Sequence, residues 1–402
     1  MNTSIESLLP DGPAPRAQRV VVVGGGVLGL ASAWALARRG HAVTLLEAAP
    51  AFPAPGGSSN DEGRIIRHAY GTMTGYAAMM PAAFAAWRAV FAATGQDRFV
   101  PLRAVYALRI EGPFAAAVAA TQAAMGLGFR DLDAAELAAL PMLTRAGLKR
   151  AVEIEGSGML LARPILDDLL ALLPRLGVDL RCGARVARIA PGRVTLADGT
   201  ALAADAVIAA AGPALPLLLP EASAAAGLRV SLQSLAYLEP PAELAAAWAA
   251  APLLLCRLPQ QAAGGVYVLP PRAGTRLKIG DYATDEPGEA WRDDPSHPPH
   301  PGRRAALLEA GARAIADFDR YRVLEQRHCL YTMAPEDRFV LRPAQEGVWL
   351  ASACSGHGFK LAALMGLGLA AAVEERLAPE ELAHWAAGRV GDTSAALGSL
   401  QS

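Results

Sequence analysis

Residues 20–47, VVVVGGGVLGLASAWALARRGHAVTLLE, decide the fold. Four valines make a short buried strand, and Gly24, Gly26 and Gly29 at its end fit G-x-G-x-x-G. Val27 to Arg39 has helical period and good helix formers, and Gly40 stops it. Ala42 to Leu46 is a second strand with Glu47 at its tip, 23 residues after Gly24. Strand, helix, second strand and acid in this register are the dinucleotide-binding fingerprint. Gly24 allows the tight turn, Gly26 lets backbone approach a pyrophosphate, and Gly29 lets helix and strand pack closely. Val27 and Leu28 open the helix, whose free N–H groups and partial positive charge suit phosphates. Glu47 is placed to accept hydrogen bonds from the adenosine ribose.

The chain has 402 residues, enough for two domains that share an interface. A net charge of −1 and no Lys/Arg stripe argue against a nucleic-acid partner. Residues 1–18 lack a basic segment followed by an apolar core, so they read as a disordered tail rather than a signal peptide. The longest apolar run, Leu361 to Val373, has 13 residues and is too short to span a bilayer, so no membrane partner is expected. Cys182, Cys256, Cys329 and Cys354 form neither a C-x-x-C pair nor a disulfide framework, which fits a reducing, cytoplasmic setting. The seven histidines show no metal-ligand spacing, and no metal site is expected.

The αβ-type segments 19–90, 155–226 and 325–390 are interrupted by strand-rich stretches at 91–154 and 227–324, and 391–402 reads as a C-terminal tail. Within these, 98–110 suggests a strand pair and 113–126 a helix. A hairpin is expected around Asp198-Gly199, a Pro-rich surface loop over 284–302, and helices over 303–318 and from about Lys360 to Arg376. The fold class is therefore mixed α/β. One Rossmann-like nucleotide-binding domain is assembled from three segments, and a second domain is built from the insertions around a mixed or antiparallel sheet. The active site belongs between them.

Four further segments, GSSNDEGRIIRHAYG (57–71), RLKIGDY (276–282), HCLYTMAPEDRF (328–339) and SGHGFKLAALMG (355–366), together resemble the monomeric sarcosine oxidase family. Those are FAD-dependent amine oxidases of the D-amino-acid oxidase superfamily. The resemblance implies FAD as cofactor and a substrate domain with a large mixed sheet. It implies that Cys329 forms a thioether to the flavin, a reaction that needs a thiolate, which Arg327 and His328 are expected to favour. Arg64 resembles the arginine beside the flavin ring, and Arg67 the one that grips the substrate carboxylate, a bidentate task suited to guanidinium. On a strand these two arginines point to opposite faces, on a helix to one.

Lys360 resembles the second carboxylate ligand, at a helix N-terminus facing the flavin, where Gly356, Gly358 and Phe359 bring backbone close to the ring. Lys278 resembles the oxygen-activating lysine, since a cation stabilises the charge that develops on O₂. Tyr267, 11 residues upstream, and Tyr331, two residues after Cys329, resemble pocket tyrosines. Ser58, Val186 and Gly212 complete the cofactor set implied by the resemblance.

The resemblance thus implies an oxidase of secondary amino acids, with an amino-acid substrate and O₂ as its small-molecule partners. A monomer or small homo-oligomer is expected. Two rivals stand beside it: a flavin dehydrogenase with a protein or quinone acceptor, and a flavin-carrying subunit of a larger complex. The chain departs from the family pattern at two places. Asn60 stands where the motif has a histidine before R-I-I-R, and Tyr282 where it has one after the lysine. Both remove a side chain that titrates near neutral pH. Tyr282 also puts a phenol ring beside the expected amine position, which favours larger N-alkyl or cyclic secondary amino acids over sarcosine.

Overall fold

The computed structural model describes residues 5–259, 264–283 and 301–389. A six-stranded sheet runs in the order Val340–Gln345, Val348–Ser352, Ala206–Ala209, Arg19–Val23, Ala42–Leu46, Asp179–Arg181. All neighbours are parallel except the antiparallel pair at the Val340–Gln345 edge. Three separate stretches of chain supply these strands, as the segment pattern implies. The sheet is covered on both faces, so its central strand reads as an unbroken run of valines.

The helix Val27–Ala37 is buried on every side, which explains why its sequence is apolar all round rather than striped. It packs on the helix Ala362–Val373, and a Cβ added at Gly366 would lie 2.7 Å from the backbone carbon of Ala31. Each fully buried leucine here, such as Leu30, Leu36 or Leu364, contributes about 1.5–3 kcal/mol. The helix Thr74–Thr94 is long and apolar enough to cross a membrane, yet Tyr76, Met80, Ala83, Trp87 and Val90 are buried in this same core.

An eight-stranded mixed sheet follows the order Arg322–Met333, Arg229–Glu239, Leu277–Asp281, Gly265–Leu269, Leu253–Arg257, Ala104–Leu108, Arg150–Ile154, Phe129–Asp131. Only the pair Leu253–Arg257 and Ala104–Leu108 is parallel. Its two faces have different tasks, set by the two-residue period of a strand. Val105, Ala107, Leu254, Cys256, Val268 and Ile279 face a helix-covered core with Trp248 and Leu307. The opposite face follows from the cross-strand registers Tyr331↔Ser231, Cys329↔Gln233, Tyr237↔Lys278, Lys278↔Leu269 and Leu255↔Tyr267. It brings Cys329, Tyr331, Tyr237, Lys278, Tyr267 and Arg257 to one side. A three-stranded sheet, Gly63–Arg67, Ser157–Leu161 and Phe99–Pro101, lies apart from both larger sheets in pairing.

Several expectations need correction. Residues 5–18 are not a loose tail: Ile5–Leu8 is helical, Leu8 is buried in the main core, and Gln18 Nε2 donates to the Val373 carbonyl at 3.0 Å. A boundary at 325 cuts through the strand Arg322–Met333, so Cys329 and Tyr331 belong to the large sheet. The strand pair expected over 98–110 is divided between two sheets, because Phe99–Pro101 pairs with Ser157–Leu161 and Ala104–Leu108 with Arg150–Ile154. The helix expected over 303–318 spans Pro301–Ala312. The surface loop expected over 284–302 and the tail at 391–402 fall almost wholly outside the described residues.

Candidate active site

A cavity of about 930 Å³ runs from Gly24–Leu28 at the carboxyl end of the six-stranded sheet to Lys278, Tyr282 and Tyr331 on the large one. Ligands collect at such strand ends in α/β folds. At the nucleotide end, Gly24 has φ of 111°, and a Cβ there would meet the Ala210 carbonyl oxygen at 2.5 Å. A Cβ at Gly29 would lie 1.9 Å from the Gly24 carbonyl oxygen, so only glycine lets this helix sit on this strand. A Cβ at Gly26 would find only Ser59 Oγ, at 3.3 Å, so this backbone faces open space. The Val27 N–H donates to Ser59 Oγ at 3.0 Å. Glu47 accepts from the N–H groups of Gly25 and Ala49, both at 2.8 Å, which fixes its carboxylate at the cavity wall.

Leu28, Ser58, Val186 and Gly212 line the same end, and Ser58 Oγ donates to the Leu330 carbonyl. A glycine cradle, a helix N-terminus and a pinned acid thus open continuously onto a cationic chamber. That donor set fits FAD, with the dinucleotide part on residues 24–29 and 47.

The chamber has two differently organised ends. In the first, Arg67 and Lys360 converge on Tyr70: the Arg67 guanidinium carbon lies 5.6 Å and Lys360 Nζ 5.2 Å from its ring centroid. Arg67 Nε donates to Tyr106 Oη at 2.8 Å. Neither cation has a carboxylate partner among the described residues. Burial holds the Lys360 ammonium well below its usual pKa, and the charges of Arg67 and Arg64 push the same way. Lys360 occupies a 3₁₀ turn, Phe359–Leu361, that precedes the helix Ala362–Val373, rather than the helix itself. That turn is fixed by Phe359 stacking on Trp87 at 5.7 Å and by Trp87 Nε1 donating to the Lys360 carbonyl at 2.9 Å.

Gly356 has φ of 74°, and a Cβ at Gly358 would lie 1.7 Å from the Ala353 carbonyl oxygen. His357 Nε2 lies 2.8 Å from the Asp337 carbonyl, so it carries the proton, and Nδ1 accepts from Tyr70 Oη at 3.1 Å. Burial, with Lys360 nearby, lowers this imidazole to about 3, in keeping with a neutral ring.

The second end is built on Asp61. Its carboxylate takes Lys278 Nζ, Arg64 Nη1 at 3.1 Å and Tyr237 Oη at 2.5 Å. Lys278 is 1% exposed and also donates to the Gly63 carbonyl at 2.9 Å. Burial opposes ionisation of Asp61, but Arg64 and Lys278 outweigh it and hold the carboxyl below its usual range. Burial lowers Lys278 to about 8 even so, with Arg64 adding to the effect and Asp61 opposing it. The pleat of the strand Gly63–Arg67 sends Arg64 to Asp61 and Arg67 to Tyr106.

Cys329 does not line the large cavity. It lines an adjoining one of about 350 Å³ with Pro55, Ser58, Asn60 and Arg64, all of which also wall the larger cavity. Burial raises its thiol to about 11, and the cations that oppose this are Arg64 and Lys278. Arg327 and His328 do not take that part. Arg327 pairs with Glu325 and lies over Tyr237, while His328, on the other side of the pleat, sits 2.6 Å from Ser234 Oγ. Asn60 braces its own loop, donating to the Ala54 carbonyl at 3.3 Å. Cys354, by contrast, lines the large cavity.

Tyr267 lies against Gly280, where a Cβ would meet the phenol oxygen at 2.3 Å, so this glycine makes room for the ring. Tyr282 is 37% exposed at the cavity mouth, 5.8 Å from the Tyr267 ring. Arg64, Arg67, Lys278, Lys360, Tyr267, Tyr282 and Tyr331 therefore meet in one chamber. Asp61, Tyr70, Tyr106, Tyr237 and Arg257 join them without having been singled out in the sequence. The one available signal for Asp61 is its place three residues before Arg64.

No curated protein sequence matches the chain. Among solved structures, the fold resembles that of NikD, described as an unusual amino acid oxidase essential for nikkomycin biosynthesis. That match has a TM-score of 0.73 at 24% identity and covers 92% of this chain and 97% of NikD. L-proline dehydrogenase from P. horikoshii has a TM-score of 0.74 at 16% identity, with coverage of 90% and 94%. Glycine oxidase from Geobacillus kaustophilus has 0.71 at 20% identity, with coverage of 90% and 95%. At these identities the likeness is one of fold. The profile of the family described as FAD dependent oxidoreductase matches residues 19–372, nearly the whole described chain. The chain belongs to the DAO family of FAD-dependent oxidoreductases.

Proposed function

We propose that this enzyme oxidises secondary amino acids, N-alkyl or cyclic, with O₂ as electron acceptor. One observation carries the reading: Arg67 and Lys360, two cations without a counter-ion among the described residues, converge on one point of the cavity wall. Such a pair calls for a substrate carboxylate, which would form charge-assisted hydrogen bonds there. Proteins of like fold that act on glycine, L-proline or another amino acid accord with this choice.

FAD, held along residues 24–29, Glu47 and Gly356–Lys360, would supply the two-electron redox chemistry. The chain's own residues bind and orient. Arg67 and Lys360 hold the carboxylate, which fixes the substrate's amine-bearing carbon relative to the cavity wall. The substrate loses a hydride equivalent and becomes an imine, which water hydrolyses. O₂ takes up the two electrons and two protons and leaves as H₂O₂. Lys278 offers a cation to the charge that develops on oxygen, and Asp61 holds that ammonium in place.

No free base faces the substrate: Asp61 is fully engaged and His357 Nδ1 accepts from Tyr70. The cationic chamber also disfavours an ammonium, so the amine binds in its neutral form. Tyr282 at the mouth offers a ring face to apolar substituents, which favours substrates larger than sarcosine. We propose further that the flavin is tethered through Cys329, supported by the Arg64 wall that this thiol shares with the large cavity. Acid-precipitated protein should then stay yellow, and Cys329→Ser, unlike Cys354→Ser, should release the colour.

The test is a substrate panel of sarcosine, larger N-methyl amino acids, L-proline and L-pipecolate, followed by H₂O₂ release. The larger or cyclic substrates should have the highest kcat/KM. Sarcosine at the top would overturn the specificity, and dye reduction without O₂ consumption would favour a dehydrogenase.

A further inference from the structure

Arg257 ends the strand Leu253–Arg257, on the same face of the large sheet as Leu255, and it lines the cavity. Its guanidinium carbon lies 4.9 Å from the centroid of Phe114 and 5.8 Å from that of Tyr282. Its Nε is buried without a hydrogen-bond partner, and among the described residues it has no carboxylate partner. The acid on a neighbouring strand, Asp281, is taken by Arg303 at 2.7 Å. Stacking on two rings fixes the plane of a guanidinium without using its hydrogen-bonding edge. An unpaired polar group in such a place is costly unless a ligand satisfies it. Tyr282 stands between this arginine and Arg67, since both cations act on its phenol.

We propose that Arg257 forms a second anion subsite, so that the preferred substrate carries a second carboxylate on its side chain or N-substituent. This inference rests on the reading of Arg67 and Lys360 as the site for the first carboxylate. The two subsites lie on either side of Tyr282, whose ring packs on the apolar stem that joins the two acid groups. The result is a secondary amino acid that is a dicarboxylate overall, held at both ends with its amine between.

Binding without turnover tests this most cleanly. The flavin-loaded enzyme is titrated with dicarboxylates from malonate to adipate and with their monomethyl esters, read by perturbation of the flavin spectrum. One chain length should bind more tightly than its monoester by roughly 10- to 100-fold, as expected for a charge-assisted pair. In Arg257→Met that ratio should fall to about one, and Arg257→Lys should restore part of it. Equal affinity of diacid and monoester in the unaltered enzyme would overturn the second subsite alone. A ratio unchanged in Arg257→Met would do the same. Failure of every carboxylate to bind would instead strike the first site, and this inference with it.

Discussion

The two ends of the catalytic chamber carry the same kind of charge in opposite states. Around Asp61, two cations and a phenol close on one carboxylate, and the group is complete without a ligand. Around Tyr70, Arg67 and Lys360 gather with no acid among the described residues, and Arg257 adds a third such cation near the mouth. The first arrangement is an internal part with fixed geometry. The second is incomplete by design and stores a demand for an anion. Substitutions should therefore act in opposite ways on stability at the two ends.

The largest effect is expected at Asp61. Asp61→Asn leaves Lys278 and Arg64 buried without their acid, and should destabilise by about 3–5 kcal/mol. Denaturant unfolding measures this, and a loss below about 1 kcal/mol would mean the ion cluster is not closed in solution. Next comes Arg67→Leu. It should weaken carboxylate substrates by about 2–5 kcal/mol in kcat/KM while changing the rate with carboxylate-free amines little. Equal losses for both substrate classes would show that Arg67 is not a carboxylate ligand.

Lys278→Met should slow reoxidation by O₂ roughly 10²-fold and leave anaerobic reduction largely intact. The Lys278 ammonium is held at about 8, so reoxidation in the unaltered enzyme should fall as pH rises through that value. Stopped-flow mixing with O₂ across this range should show the fall, and the Met variant should show none.

The smallest effect is the most diagnostic of the contrast. Lys360→Met removes a buried cation that has no partner, so it should raise the melting temperature. The sign follows from linkage. The folded-state pKa of Lys360 lies below its unfolded value, so its charge costs stability below that value, and the cost fades as pH rises. The gain from Met should accordingly be greater at pH 6 than at pH 9. A melting temperature that falls would place an unseen acid beside Lys360.

Where the sequence was informative, the structure was local. The turn at Gly24 and the packing of Gly29 depend on neighbours within a few residues, so the nucleotide end was legible from spacing. Lys278, Tyr267 and Tyr331 were legible because each lies in a short motif, although only the sheet shows that they share a face. Asp61 was missed because its meaning comes from Lys278, 217 residues away. Arg257 was missed because nothing near it in the chain distinguishes it from any arginine at a strand end. Cys329 shows the converse. Its sequence neighbours Arg327 and His328 are drawn elsewhere, and the cations that act on it come from two distant strands. Leu8 reaches the core from a stretch with too few apolar residues to show a period.

The most direct test of the central claim is one anaerobic experiment followed by air. Flavin-loaded enzyme is mixed with a secondary amino acid such as L-pipecolate and, separately, with the matching amine that lacks the carboxylate. The account predicts rapid bleaching by the amino acid only, then return of colour in air with one H₂O₂ released per substrate oxidised. Bleaching by the amine at the same rate, or no bleaching by any secondary amino acid, would contradict it.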